Sequence, residues 1–421
     1  MVLSSGATDP VFSVLYRDPA NALVSIPSDL LAHIDILLPR LFVPIAIPAT
    51  PLPLPDDLTG TPVPPAAVHY LENILAGLRF NPIIAAAVSG ISTDQMRRDI
   101  RWLTGEDGAG PTTRRSWSKG ARDAADWIQN QIEQTGARCV QKIFIQGFAP
   151  NAVCRYPSAS TENTVAILSA HYDSTTDWFD YRAPGANDDG SGVLPLLAAA
   201  RVIHQNRIAF RGNVELVAFA GEEQGLLGSR AYANELKAAG TNVTIMVQAD
   251  ELAFHSASEQ MQVGFPRVES LLEATYLVGN ITNLYSPELK VGFTPACCSD
   301  QQRFHALGFP STWVFERAGA ILDPFYHKSG DISDRPGYDF NQVRSIAKAT
   351  VRIRVCFFFL AVIMVPILMV IASGTVSLLR CWRLPGLILR SEVMSNRAEV
   401  GSYSEGTFQP STSTQRSRGS M

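Results

Sequence analysis

Val165-Ala-Ile-Leu-Ser-Ala-His171-Tyr-Asp173-Ser174 is an apolar run that stops abruptly on an imidazole and a carboxylate. A short run of β-branched and apolar residues bounded by polar ones reads as a strand buried on both faces. Similar runs lie at 214–220, 243–247 and 312–315, with helical stretches at 193–204 and 226–238 between them. Buried strands alternating with helices predict an α/β domain whose mixed, largely parallel central sheet carries helices on both faces. The irregular spacing leaves room for antiparallel edge strands.

Polar chemistry gathers where these strands end, which is where a parallel sheet collects its functional groups. In chain order the segments are His171-Tyr-Asp173-Ser, Gly185-Ala-Asn-Asp188-Asp189-Gly-Ser-Gly, Gly221-Glu222-Glu223-Gln-Gly225, Gln248-Ala-Asp250-Glu251 and Tyr326-His327-Lys-Ser-Gly-Asp331. Taken singly each is weak: a lone histidine is usually just hydrogen-bonded, and Asn-Asp-Asp-Gly-Ser-Gly has turn chemistry throughout. Together, two histidines and three carboxylates at strand ends make a ligand set that suits paired zinc ions. One carboxylate shared by both ions offsets their repulsion. Asp173, two residues after His171, can accept the second imidazole N–H and so fix the tautomer. Of the adjacent Glu222 and Glu223, one can bind metal while the other handles protons.

The runs Ser169-Ala-His171-Tyr-Asp173-Ser, Pro184-Gly-Ala-Asn-Asp188-Asp189-Gly-Ser-Gly, Phe219-Ala-Gly-Glu222-Glu223-Gln-Gly-Leu-Leu-Gly228-Ser and Tyr326-His327 together resemble the co-catalytic di-zinc exopeptidases typified by bacterial leucyl aminopeptidases. The match runs in family order over about residues 91–349. The resemblance implies a zinc-exopeptidase fold and two Zn2+ per chain. It implies that His171 and Asp250 hold one ion, that Glu223 and His327 hold the other, and that Asp188 bridges. Glu222 is then the general base, Tyr326 a donor to the oxyanion, and Asp188–Asp189 a non-proline cis peptide. Peptides are the implied substrates, cut at the amino end and at an apolar residue. Two departures bear on substrate choice: Ser299-Asp300-Gln301 stands where some relatives have Ser-Asp-His, and Ala296 falls near the place of a tyrosine used by one bacterial relative. A metal-free receptor-like binding domain and a single-zinc glutaminyl cyclase share the resemblance to this fold, and metal content separates the three.

Outward from the catalytic core the texture changes. The chain of 421 residues, 46% hydrophobic and 18% charged, can bury a full core, and a net charge of −4 leaves no basic footprint for nucleic acid. Of its six cysteines, Cys139, Cys154, Cys297 and Cys298 precede residue 350 and can be bridges or buried thiols. Residues 1–66 read as a poorly structured leader with no visible signal peptide, since nine prolines fall between Pro39 and Pro65. Residues 67–349 form the expected peptidase domain, with helices at 69–87 and 93–103 and a helix capped by Ser118. Residues 355–379 are 25 in a row without a charge, which as a helix spans about 37 Å and predicts a single-pass transmembrane segment attaching the chain to a membrane. Residues 391–421 read as a disordered tail. The resemblance points to a secretory or extracellular setting.

Overall fold

The computed structural model describes residues 13–18, 22–27, 60–158, 164–176, 181–296, 298–358, 371–372 and 375–376. Within the expected leader, β1 (Ser13–Arg17) pairs antiparallel with β2 (Ala22–Ser25). Helices α1 (Pro65–Gly77) and α2 (Pro82–Ser89) replace the single helix expected over 69–87. Pro82 has no N–H to continue a helix and disfavours helical backbone at Asn81. Asn81 instead caps α2, its side chain accepting from Ile83 N at 2.9 Å. Helix α3 spans Thr93–Leu103 as expected. Ser118 caps α4 (Lys119–Glu133) by accepting from Ala121 N at 3.0 Å.

The remaining elements are β3 (Arg138–Lys142), β4 (Asn151–Tyr156), β5 (Thr164–His171), α5 (Ser191–Gln205), β6 (Asn213–Phe219), α6 (Leu227–Ala238), β7 (Asn242–Ala249), β8 (Gln262–Pro266), α7 (Leu272–Tyr285), β9 (Lys290–Thr294), α8 (Gln301–Ala306), β10 (Ser311–Val314) and α9 (Phe340–Phe358). The central sheet has the order β10-β7-β5-β6-β4-β3. Its first four strands are parallel and its last two antiparallel, the mixed sheet the sequence predicts. Cys139 and Cys154 face each other across β3 and β4 and are disulfide-bonded. β8 and β9 form a separate parallel pair.

Side chains alternate between the two covered faces of the sheet. Ala166, Leu168 and Ala170 of β5 join the core shared with α3, α4, α5 and α9. Val165 and Ile167 face the other way, into a core with Tyr232 and Leu236 of α6 and Phe304 of α8. β5 lies between β6 and β7, so the chain leaves it to one side and then the other. Such a reversal opens a crevice at the C-terminal strand ends. Register keeps those ends level: His171 pairs with Phe219, and Ser169 with Gln248.

Of the segment 355–379 expected as one transmembrane helix, residues 355–358 close α9 (Phe340–Phe358), and Ile371–Ala372 (β11) pairs antiparallel with Thr375–Val376 (β12). Among the described residues no single helix is long and apolar enough to cross a membrane. The rest of that segment and the tail at 391–421 lie outside the described residues.

Candidate metal centre at the sheet crevice

His171, Asp188, Glu223, Asp250 and His327 converge at the crevice. Nε2 of His171 lies 3.2 Å from Oδ1 of Asp188 and 3.4 Å from Oδ1 of Asp250. On the other side, Nε2 of His327 lies 3.0 Å from Oδ2 of Asp188 and 3.2 Å from Oε2 of Glu223. One carboxylate therefore presents an oxygen to each of two nitrogen-and-oxygen clusters. Oδ1 of Asp250 and Oε1 of Glu223 are buried without a hydrogen-bond partner. Leaving buried anionic oxygens unsatisfied is costly, and a divalent cation held by these residues would remove that cost. Ligand atoms of His171, Asp188 and Glu223 lie within 4.8 Å of one another, as do those of His171, Asp189 and Asp250.

Local backbone explains why Asp188 sits at the centre. It is carried on the π-turn Ala186–Gly190, entered from Gly185 in the left-handed region at φ +53°, with a cis peptide between Asp188 and Asp189. A Cβ at Gly185 meets Asp188 O at 2.4 Å, and one at Gly192 meets Ala249 O at 2.2 Å. Glycine is thus required at both ends of the motif. Asp331 accepts from the backbone N–H groups of Asn187 and Asp188, at 2.9 and 3.0 Å. Asp331 is itself paired with Arg335 at 2.9 Å. Asn187 donates to Glu316 and Asp323, at 2.9 and 3.0 Å. Asp189 accepts from the N–H groups of His171, Gly192 and Glu251, which occupies its oxygens with backbone rather than metal.

Asp173 has a wider role than fixing a tautomer. Nδ1 of His171 lies 3.1 Å from the backbone carbonyl oxygen of Asp173 and 3.6 Å from its carboxylate. The carboxylate accepts from Ser116 Oγ at 2.8 Å and from the N–H groups of Glu222 and Glu223 at 3.3 Å each. Asp173 thus ties the first histidine to the loop carrying both glutamates. Tyr326 stacks on His327 with ring centroids 3.8 Å apart. Of the aromatic cluster between His171 and Asp188, Trp178 and Phe179 lie outside the described residues, and Tyr181 is exposed.

Arg114 is the residue that sequence reasoning missed. Fully buried, it donates to the carbonyl oxygens of Tyr172 at 2.7 Å, Leu103 at 2.8 Å, Gly185 at 2.8 Å and Pro184. One side chain therefore clamps the His171–Asp173 segment to the turn bearing Asp188. Burial lowers its pKa while Asp331, Asp189, Asp173 and Asp188 oppose that shift. No local pattern around Arg114-Arg115 announces this, because its partners are carbonyls up to 71 residues away.

Charges are set by crowding. Burial raises the Glu222 carboxyl well above its ordinary range, against the pull of His171 and with help from Glu223 and Asp300. Glu223 is pushed up to about 7 by burial and by Asp188. Asp188 is held below the usual carboxylate range, because His171 and His327 outweigh its burial. Burial lowers the His327 imidazole, but Glu223 and Asp188 carry it up to about 11. Burial and the Asp188 charge push the Tyr326 hydroxyl up, so it stays a proton donor.

The comparisons agree with this geometry. The profile of peptidase family M28 matches residues 151–351. A "Probable leucine aminopeptidase" of Trichophyton verrucosum is 30% identical over 312 residues, covering 70% of this chain and 77% of that protein. "Leucine aminopeptidase 1" of Neurospora crassa is 30% identical over 251 residues, covering 54% of this chain and 60% of that protein. Among solved structures, Legionella pneumophila LapA aminopeptidase shares the fold at TM-score 0.59 and 17% identity, over 84% of this chain and 95% of that one. Glutaminyl cyclase of Fimbriiglobus ruber shares it at TM-score 0.53 and 16% identity, over 63% and 96%. With a relative 30% identical that is covered over most of its length, the chain belongs to peptidase family M28 and is a metallopeptidase.

Proposed function

We propose that the enzyme is an aminopeptidase that removes amino-terminal, apolar residues from peptides with two zinc ions. His171 and Asp250 would hold one ion, Glu223 and His327 the other, with Asp188 between them. The observation that carries this reading is the Asp188 carboxylate, whose two oxygens face opposite histidines at 3.2 and 3.0 Å. Leucine aminopeptidases among the relatives support the amino-terminal direction of cleavage.

Bound zinc supplies a Lewis acid for the scissile carbonyl and lowers the pKa of water toward neutrality. The protein's own groups handle the rest. The Glu222 carboxylate accepts the proton of the attacking water and passes it to the departing amine. Tyr326, held against His327, donates its hydroxyl proton to the oxygen on which charge develops. Asp173 fixes the backbone that carries Glu222 and Glu223 by accepting from both N–H groups.

Hydrolysis of leucyl p-nitroanilide tests the reading. Glu222→Gln is expected to lower kcat by about 10²–10⁴-fold while the protein still binds two zinc ions by elemental analysis. Full activity in that variant refutes the assigned base, and one ion per chain in the native enzyme refutes the paired centre. A secretory or extracellular location is also proposed, supported by the Cys139–Cys154 bridge. Membrane attachment through 355–379 rests on composition alone, and retention in the membrane fraction after alkaline carbonate extraction tests it.

A further inference from the structure

Beside Glu222 lies a pair of cations that the proposed chemistry does not use. The loop carrying Glu222 and Glu223 runs into α6, whose first turn holds Arg230, and α6 packs on α8, which holds Arg303. Nη2 of Arg303 donates to Gly225 O at 3.1 Å, and Gly225 N donates back to Glu222 O at 2.8 Å. Nε of Arg303 is buried without a partner. Arg230 and Arg303 are close enough to repel each other, while Asp300 and Glu269 act on Arg303 only from beyond ion-pair distance. Among the described residues neither guanidinium has a carboxylate partner within 4.0 Å. Gly225 is exposed, at φ +102°, with no atom within 4 Å of where a Cβ would project, so space is open over the loop.

Two half-buried guanidinium groups with no carboxylate in ion-pair contact, Asp300, Glu269 and Glu222 acting on Arg303 from longer range, favour an anion, and a carboxylate matches their planar fork. The position says which carboxylate. In the proposed reaction the leaving nitrogen takes its proton from Glu222, so the departing residue sits beside this loop. In a dipeptide a single Cα separates that nitrogen from the terminal carboxylate, whereas a longer peptide has a neutral amide there. We propose that Arg230 and Arg303 form a subsite for the terminal α-carboxylate of dipeptides, making them the preferred substrates. This inference rests on the aminopeptidase reading.

The test compares kcat/KM of the zinc-loaded full chain on Leu-Gly, Leu-Gly-amide, Leu-Asp-amide and leucyl p-nitroanilide. The native enzyme is expected to favour Leu-Gly over its amide by about tenfold, the scale of one charged hydrogen bond. Arg230→Ala and Arg303→Ala should each raise KM for Leu-Gly by about that factor and leave the amide and the anilide unchanged, with Arg303→Lys intermediate. An acid-to-amide ratio that is the same in native enzyme and variants overturns the subsite. So does Leu-Asp-amide outperforming Leu-Gly, which would assign the cations to an acidic side chain. If Arg303→Ala also slows the anilide by freeing Gly225, the ratio in Arg230→Ala decides, since Arg230 makes no side-chain bond to that loop. An anilide untouched by the native enzyme would instead refute the aminopeptidase reading.

Discussion

The two sides of the Asp188 carboxylate are built differently. The His171 side grows from strand ends: His171 closes β5, Asp250 follows β7, and their side chains are 1% and 7% exposed. The His327 side is mixed: Glu223 follows β6 and its side chain is 4% exposed, whereas the His327 side chain is 35% exposed on a loop with φ +53°. Strand ends are fixed by the sheet's hydrogen bonds, whereas the loop depends on the clamps that Asp331 and Arg335 provide. The two ligands of the His171 side are therefore part of the core, whereas His327 is laid over it.

Removing each histidine in turn breaks this comparison most sharply. His171→Ala and His327→Ala should both lose activity by about a thousandfold, since a metal contributes several kcal/mol to the transition state. They should differ in stability. His171→Ala opens a buried cavity beside Asp188 and Asp250, and should lower Tm in the presence of EDTA. His327→Ala removes a partly exposed side chain and should leave that Tm close to native. Equal Tm losses would mean that the loop side is as integral to the core as the strand side.

What the sequence discloses follows the same division. A buried strand is an apolar run, and its end is where the run meets a polar residue, so His171, Asp250 and the Glu222-Glu223 pair are readable in one dimension. Asp188 lies in a stretch that reads only as turn chemistry, so its central place comes from the family resemblance, and the structure adds that the turn needs glycine at Gly185 and Gly192 for close approach. β3 and β4 are harder to read: Arg138-Cys-Val-Gln-Lys142 at the sheet edge has too little apolar content to stand out. Arg114, Asp331 and the backbone-capping role of Asp173 depend on partners brought close only by folding. The apolar run at 355–379 is read from composition alone, which marks a length able to span a bilayer, and most of it lies outside the described residues.

Arg114 sharpens the comparison from below, because it holds the strand segment to the Asp188 turn. Arg114→Met keeps the volume and removes the donors, leaving four buried carbonyls with fewer partners. At about 1–3 kcal/mol for an unsatisfied buried group, a loss of at least about 3 kcal/mol is expected in urea unfolding, together with weaker zinc binding. Arg114→Met with native stability and native zinc affinity would show that the clamp is dispensable.

The smallest expected effect is a slope with pH. Burial raises the carboxyls of Glu223, Asp300 and Asp331 to about 7, against about 4 in an unfolded chain. Between those values the folded form binds more protons than the unfolded form. Their stabilising contribution is present below about pH 4 and is lost as pH rises through about 7. His327, carried to about 11, extends the same trend above its ordinary value of about 6.5. Protein stripped with EDTA should therefore show a Tm that falls from about pH 5 to about pH 8. Excess zinc should flatten or reverse the trend, since its ligands bind deprotonated. A Tm that rises with pH in the stripped protein would mean that these carboxyls are ionised and paired in the fold, leaving no excess negative charge for the metals to neutralise.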